Sequence, residues 1–302
     1  NTDIESINIQ NTTNRTGVDF NSDMLSEFTI SNDSRLTSLT LGGFKKVSIT
    51  SCNNLVELSI DDALEELYIN LEKVENDEVS SALRKISLGT TGEDGVFDFT
   101  NYPNLKKVTL INCDNLVYVK LPDHDIETEG MSNNPKLQWI DTGSMPSFRD
   151  EDNKTPSDGY IEGVGEYSDK LFPIYSKGPK LILCSDRAFY NCPNYAMLRK
   201  DYDKANEMVG LISSVYPAYT NIMVSSQCTS LANTFSVSSG LGDDKFNMKT
   251  AIRFIEKCVP DEVKANITSL SGCFRGRKNV KYTIKEAATE RGYTETTYIT
   301  GH

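Results

Sequence analysis

One six-residue phrase recurs through the first half of this chain: apolar, two variable residues, apolar, one variable, apolar. Residues 55–69 hold two copies, Leu55, Leu58, Ile60 and then Leu64, Leu67, Ile69. The last two apolar positions of each copy are two apart, the period of a strand that buries one face. The variable residues are charged or polar, so the opposite face is expected to be solvated. Each short strand needs a like neighbour on either side.

The phrase starts at Ile4, Leu25, Leu36, Phe44, Leu55, Leu64, Leu83, Leu105, Leu116 and Leu137. These starts separate into two series. The first runs 4, 25, 44, 64, 83, 105, with steps of 21, 19, 20, 19 and 22. The second runs 36, 55, weak copies near Leu71 and Asp94, then 116 and 137. The spacing predicts a β-rich solenoid with about 20 residues per coil, two short strands in each, and two parallel sheets around a thin apolar slab.

Turn formers precede the phrases: Asn53-Asn54, Pro103-Asn104, Asp114-Asn115 and Asn134-Pro135. Asparagine tolerates left-handed backbone, and its side chain can satisfy backbone groups at tight corners. Seven cysteines form no CxxC pair, and their number is odd, which argues against a zinc site or a disulfide framework. Three share one context: Ser51-Cys52-Asn53-Asn54, Asn112-Cys113-Asp114-Asn115 and Asn191-Cys192-Pro193-Asn194. A cysteine recurring at one repeat position is read as a small buried residue.

The phrases and the NCxN corners resemble leucine-rich repeats, and among them the BspA-like repeats of bacterial surface antigens. Residues 186–194, DRAFYNCPN, are similar to that family's AFxxCxxL element, although Tyr195 stands where leucine is usual. Cys228-Thr229-Ser230-Leu231 and the run 267–274 look like degenerate repeats of the same kind. The resemblance is good over 1–143 and patchy over 180–284. It implies a bacterial, extracellular, cell-surface setting.

Three segments are expected: a leucine-rich repeat solenoid over 1–146, an irregular loop or insertion over 147–179, and degenerate repeats with helices over 180–302. The last is a C-terminal cap or a small α+β domain. Its strands are predicted at 181–183, 222–224 and 280–284. Its helices are predicted at 196–215, 246–258 and 284–291, with Pro217 and Pro260 as stops after the first two.

Chemistry-bearing motifs are sparse. Of two histidines, His302 is terminal and His124 lies in the polar run Pro122-Asp123-His124-Asp125, read as an exposed loop. A GxSxG elbow, an HExxH helix and a P-loop are absent from the sequence. Asp150-Glu151-Asp152-Asn153 offers oxygens suited to calcium, but without EF-hand spacing it is read as a solvated acidic loop. Sequons at Asn11, Asn14, Asn32, Asn153 and Asn266 are put down to an asparagine- and threonine-rich composition. No catalytic residue, cofactor or metal site is assigned. The net charge of −12, with no basic stripe, argues against nucleic acid, and no apolar run reaches membrane-spanning length. Asn1 in place of Met is read as a processed or trimmed form, with any export signal lost upstream.

The third and fifth residues of each phrase should point outward. On the first series these are Ser6 and Asn8, Glu27 and Thr29, Lys46 and Ser48, Glu66 and Tyr68, Lys85 and Ser87, and Lys107 and Thr109. On the second they include Tyr118, Lys120, Trp139 and Asp141. Trp139 is the single tryptophan, and Tyr118 is expected one coil away on the same sheet. Exposed aromatics on a sheet are anchors for partner binding. The expected function is therefore a non-enzymatic binding or adhesion module for a protein or glycan, through Tyr118, Lys120, Trp139 and Asp141, with Tyr68 as a fifth candidate. The alternatives are a structural spacer in a larger surface or virion assembly, and a carboxylate-based hydrolase in the C-terminal segment.

Overall fold

The computed structural model describes residues 6–10, 17–21, 26–72, 81–87, 93–142, 145–148, 173–177, 179–195, 197, 220–238, 246, 251, 254–277 and 280. In chain order its strands are β1 (Ser6–Gln10), β2 (Gly17–Asn21), β3 (Glu27–Ser31), β4 (Ser38–Gly42), β5 (Lys46–Thr50) and β6 (Glu57–Ile60). Then follow β7 (Glu66–Asn70), β8 (Lys85–Ser87), β9 (Val96–Asp98), β10 (Lys107–Ile111), β11 (Tyr118–Lys120) and β12 (Ile126–Thr128). The last are β13 (Trp139–Asp141), β14 (Met145–Phe148), β15 (Pro173–Lys177), β16 (Leu181–Leu183) and β17 (Ile222–Val224).

Successive strands mostly alternate between two parallel sheets. One has eight strands in the order β1-β3-β5-β7-β10-β12-β16-β17, and the other has seven in the order β13-β11-β9-β8-β6-β4-β2. The small antiparallel pair β14-β15 stands apart from both. Register follows the phrase: Phe28 faces Val47, Val47 faces Leu67, and Leu67 faces Val108. Every apolar phrase position in 36–69 lies inside, from Leu36 to Ile69, none more than 2% exposed. At about 1.5–3 kcal/mol per fully buried side chain, these rows dominate cohesion.

Phrases of the second series at Leu36, Leu55, Leu116 and Leu137 lead into β4, β6, β11 and β13, all in the seven-stranded sheet. The phrase at Leu83 is a correction. It was counted with the first series, yet β8 pairs with β6 through Glu57↔Lys85 and Leu58↔Ile86. The eight-stranded sheet instead steps directly from β7 to β10, Glu66 facing Lys107, two repeat lengths further on. Strands β2 and β12 carry no complete phrase. Val18 and Phe20 lack a leading leucine, and β12 offers Ile126 with Thr128, a fully buried hydroxyl, in the second inward place.

The eight-stranded sheet continues past residue 180, since Ile126 faces Leu181 and Leu181 faces Ile222. Beyond it the chain stacks as turns. Phe189 N–H donates to Thr234 C=O at 2.8 Å, and Phe235 N–H donates to Cys273 C=O at 2.7 Å. Their rings stack in the same order, Phe189 on Phe235 at 5.3 Å and Phe235 on Phe274 at 5.7 Å. The helix expected over 196–215 lies outside the described residues except at Met197, whose φ of 57° is left-handed rather than helical. Of the strand and helix expected over 280–291 only Val280 is described, and Asp150–Asn153 is not. Within 246–258 the described part ends in a π-type turn, Phe254–Cys258. Pro260 does follow it, but a short helix α1 (Asp261–Lys264) starts there, with Pro260 as its N-cap.

Corners hold the stack together. Asn32, Ser51, Asn112, Asn133, Asn191 and Asn233 all have φ between 50° and 60°. Each donates its N–H to the next layer, as from Asn112 to Ser132 C=O at 3.1 Å and from Asn133 to Tyr190 C=O at 2.7 Å. In the NCxN corners the left-handed residue is thus the first, and the following Cys52, Cys113 and Cys192 are fully buried. The asparagine just before a phrase has a different task. Asn104 Nδ2 donates to Asp62 C=O at 3.1 Å, Asn115 Nδ2 to Ser81 C=O at 2.9 Å, Asn194 Nδ2 to Pro135 C=O at 2.6 Å and Asn221 Nδ2 to Pro179 C=O at 2.8 Å. These asparagines tie one layer to its neighbour.

Candidate functional site

Parallel, in-register strands bring the same outward position of every layer into one row. The first outward row of the eight-stranded sheet reads Glu27, Lys46, Glu66, Lys107, Glu127, each facing the next across the ladder. Charge alternates at every step. Lys46 Nζ lies 3.0 Å from Glu66 Oε1, and Lys107 Nζ lies 2.5 Å from Glu129 Oε1. Hydrogen bonds to these carboxylates, Glu66 for Lys46 and Glu129 for Lys107, hold both ammonium groups above their usual pKa. Beside this row, Glu65 is bonded by Lys106 and Lys45, which lowers its pKa.

The second outward row is Thr29, Ser48, Tyr68 and Thr109. Tyr68 is 37% exposed and is the one large hydrophobic side chain at the surface among the described residues. It lies in a concavity of about 270 Å³, walled by Lys46, Glu66, Lys107, Glu129, Thr29 and Ser48. Thr109 departs from the expected solvated position: it is 1% exposed, and its Oγ1 accepts the Glu129 N–H at 3.2 Å.

The four residues placed on the second sheet are neighbours in space. Tyr118 faces Trp139 and Lys120 faces Asp141. Their environment differs from that of Tyr68. Trp139 is 6% exposed, and its indole N–H has no hydrogen-bond partner among the described residues. Tyr118 is half-buried, and Lys120 is engaged with Asp98 at 3.2 Å. The sequence singled out Tyr68 but not the charged residues around it. Their signal was present in the sequence only as the alternation Glu27, Lys46, Glu66, since Lys85 interrupts it until the pairing with Glu57 moves that residue to the other sheet.

His124 is half-buried rather than exposed, and one ring nitrogen, Nε2, bonds the Leu105 carbonyl. Among the described residues no group of three or more His, Cys, Asp or Glu side chains converges as a metal site. No described helix is long and apolar enough to cross a membrane. The chain matches no protein-family model, no curated protein and no solved structure.

Proposed function

We propose that this chain is a leucine-rich-repeat solenoid of the BspA-like kind that acts as a non-enzymatic binding module at a cell surface. Repeat spacing near 20 residues, strands alternating between two parallel sheets and left-handed corners support the architecture. The binding reading rests chiefly on one observation. A surface tyrosine sits in an open concavity on a parallel sheet face, ringed by polar groups. Aromatic anchors of this kind concentrate binding energy, because a ring contributes large contact area at little entropic cost. Tyr118, Lys120, Trp139 and Asp141 form a second-sheet patch whose tryptophan is withdrawn from solvent, so Tyr68 takes the central role in this reading.

The test is an array of purified proteins and glycans probed with the wild-type chain and with Tyr68→Ala. The reading expects at least one ligand whose signal falls tenfold or more, about 1.4 kcal/mol, in a variant with an unchanged circular dichroism spectrum. Equal signals from the two chains on every ligand would remove Tyr68 as the anchor.

A further inference from the structure

The chemistry of the Tyr68 concavity discriminates among ligand classes. Each lysine that walls it is already matched to a carboxylate, Lys46 to Glu66 at 3.0 Å and Lys107 to Glu129 at 2.5 Å. An acidic ligand would have to draw a lysine out of its pair and leave the displaced carboxylate without its counter-ion. It would also meet Glu27, the chain's overall charge of −12 and no unmatched cation in the wall. Net electrostatic gain for an acidic ligand is therefore small, and a basic ligand would find Glu27 alone outside those pairs.

A ligand rich in hydroxyls faces no such conflict. A hydroxyl both donates and accepts, so it can bond a carboxylate oxygen or an ammonium proton while the ion pair stays intact. Thr29 and Ser48 add two further hydroxyls to the same wall. The exposed Tyr68 ring supplies the complementary element. The face of an aromatic ring is negative, and the axial C–H groups of a pyranose ring are positively polarised, so the two stack.

The dimensions agree. Four strands, β3, β5, β7 and β10, contribute the walls together with Glu129 just after β12, and strands repeat at about 4.8 Å. The groove thus spans roughly 14 Å across the sheet, room for about three pyranose rings. It is open at the surface, which suits an internal stretch of a longer chain.

We infer that the concavity centred on Tyr68 takes a neutral oligosaccharide, with one sugar ring stacked on the tyrosine and its hydroxyls bonded to the Lys46–Glu66 and Lys107–Glu129 pairs. This rests on the binding reading above and names its ligand class. The experiment is a glycan array carrying neutral oligomers of glucose, mannose, galactose and N-acetylglucosamine beside sialylated and sulfated ones. Hits are followed by calorimetry with the soluble oligomer. The expected result is binding to a neutral oligomer, reduced at least tenfold by Tyr68→Ala and kept within about threefold by Tyr68→Phe. Raising salt from low to physiological strength and beyond should change that affinity by less than about twofold, since no charge pairing is involved. Binding confined to sialylated or sulfated glycans, or steeply weakened by salt, overturns the inference. So does Tyr68-dependent binding to proteins alone, although that outcome leaves the binding reading standing. Loss of Tyr68 dependence for every ligand defeats both.

Discussion

Arg277 shows how a charged residue can be spent on cohesion. It is 2% exposed, and its guanidinium donates to Phe235 C=O at 2.9 Å, Cys192 C=O at 3.0 Å and Pro193 C=O at 3.2 Å. The same group lies over the Phe246 ring at 4.6 Å. One planar fork therefore joins two turn layers that are far apart in sequence. Replacing it by methionine keeps the stem and leaves three carbonyls without this donor. The expected cost of Arg277→Met is about 2–4 kcal/mol, read from the urea midpoint. Arg277→Lys should recover little of it, because an ammonium cannot reach three carbonyls from one plane. The cysteines test the same interior from another direction. All seven are unpaired thiols. Burial pushes Cys52 up to about 11 and Cys192 and Cys273 up to about 12, and raises Cys113 further. Only Cys184 is half-buried rather than buried. In the native protein a thiol reagent at mildly alkaline pH should modify one residue at most, and Cys184→Ala should abolish that reaction. In denaturant all seven should react. Two or more fast native thiols would contradict the packing described.

At the scale of the element, asparagines before the phrases make a sharper test than the leucines, because their role depends on a donor. Asn194 Nδ2 donates to the Pro135 carbonyl at 2.6 Å. Asn194→Asp keeps the shape but points a carboxylate at a carbonyl oxygen. That arrangement favours the protonated acid, so the folded-state pKa should rise above the free value of about 3.9. The variant should then be near wild type below pH 4 and lose about 1–2 kcal/mol as pH rises through the folded-state pKa. A deficit that is independent of pH would mean the side chain has turned away. Strand placement was legible because period-two burial is a local property, visible in Leu58-Ser59-Ile60 or Leu67-Tyr68-Ile69 without any knowledge of neighbours. Membership of a sheet was less legible. The phrase at Leu83 has the same form in either sheet, and only the pairing Leu58↔Ile86 assigns it. The left-handed corners at Ser51 and Asn112 fall two residues before the Asn53-Asn54 and Asp114-Asn115 pairs the sequence pointed to. At the candidate site Tyr68 could be read from its position. Trp139 could not, because a three-residue strand does not reveal whether its outward face remains in solvent.

Among the described residues each strand pairs with the strands beside it in its own sheet. On the repeat architecture proposed above, stability is expected to be a sum over neighbouring layers. Strands with a partner on both sides, such as β5, β7 and β10, should open only when the stack is cut, whereas β13, at the end of its sheet among the described residues and held on its own chain by Thr220 Oγ1 donating to the Ile140 carbonyl at 3.0 Å, should open more readily. Hydrogen exchange followed by mass spectrometry separates this behaviour from that of a globule. Backbone amides in β5, β7 and β10 should exchange slowest, and those of β13 should exchange faster by orders of magnitude. Two substitutions then probe how damage spreads. Leu67 is 1% exposed between Val47 and Val108, and Leu67→Ala should cost about 2–5 kcal/mol and accelerate exchange on both sides of β7. Ile140 is fully buried on the terminal strand, and Ile140→Ala should free β13 and, to a lesser degree, β11, while leaving β5 and β7 as protected as before. Uniform acceleration by both substitutions would show that the layers unfold as one unit. A gradient that decays with distance from Ile140 is the signature of layers held by their neighbours, and it would leave the face around Tyr68 intact when the far end of the second sheet frays.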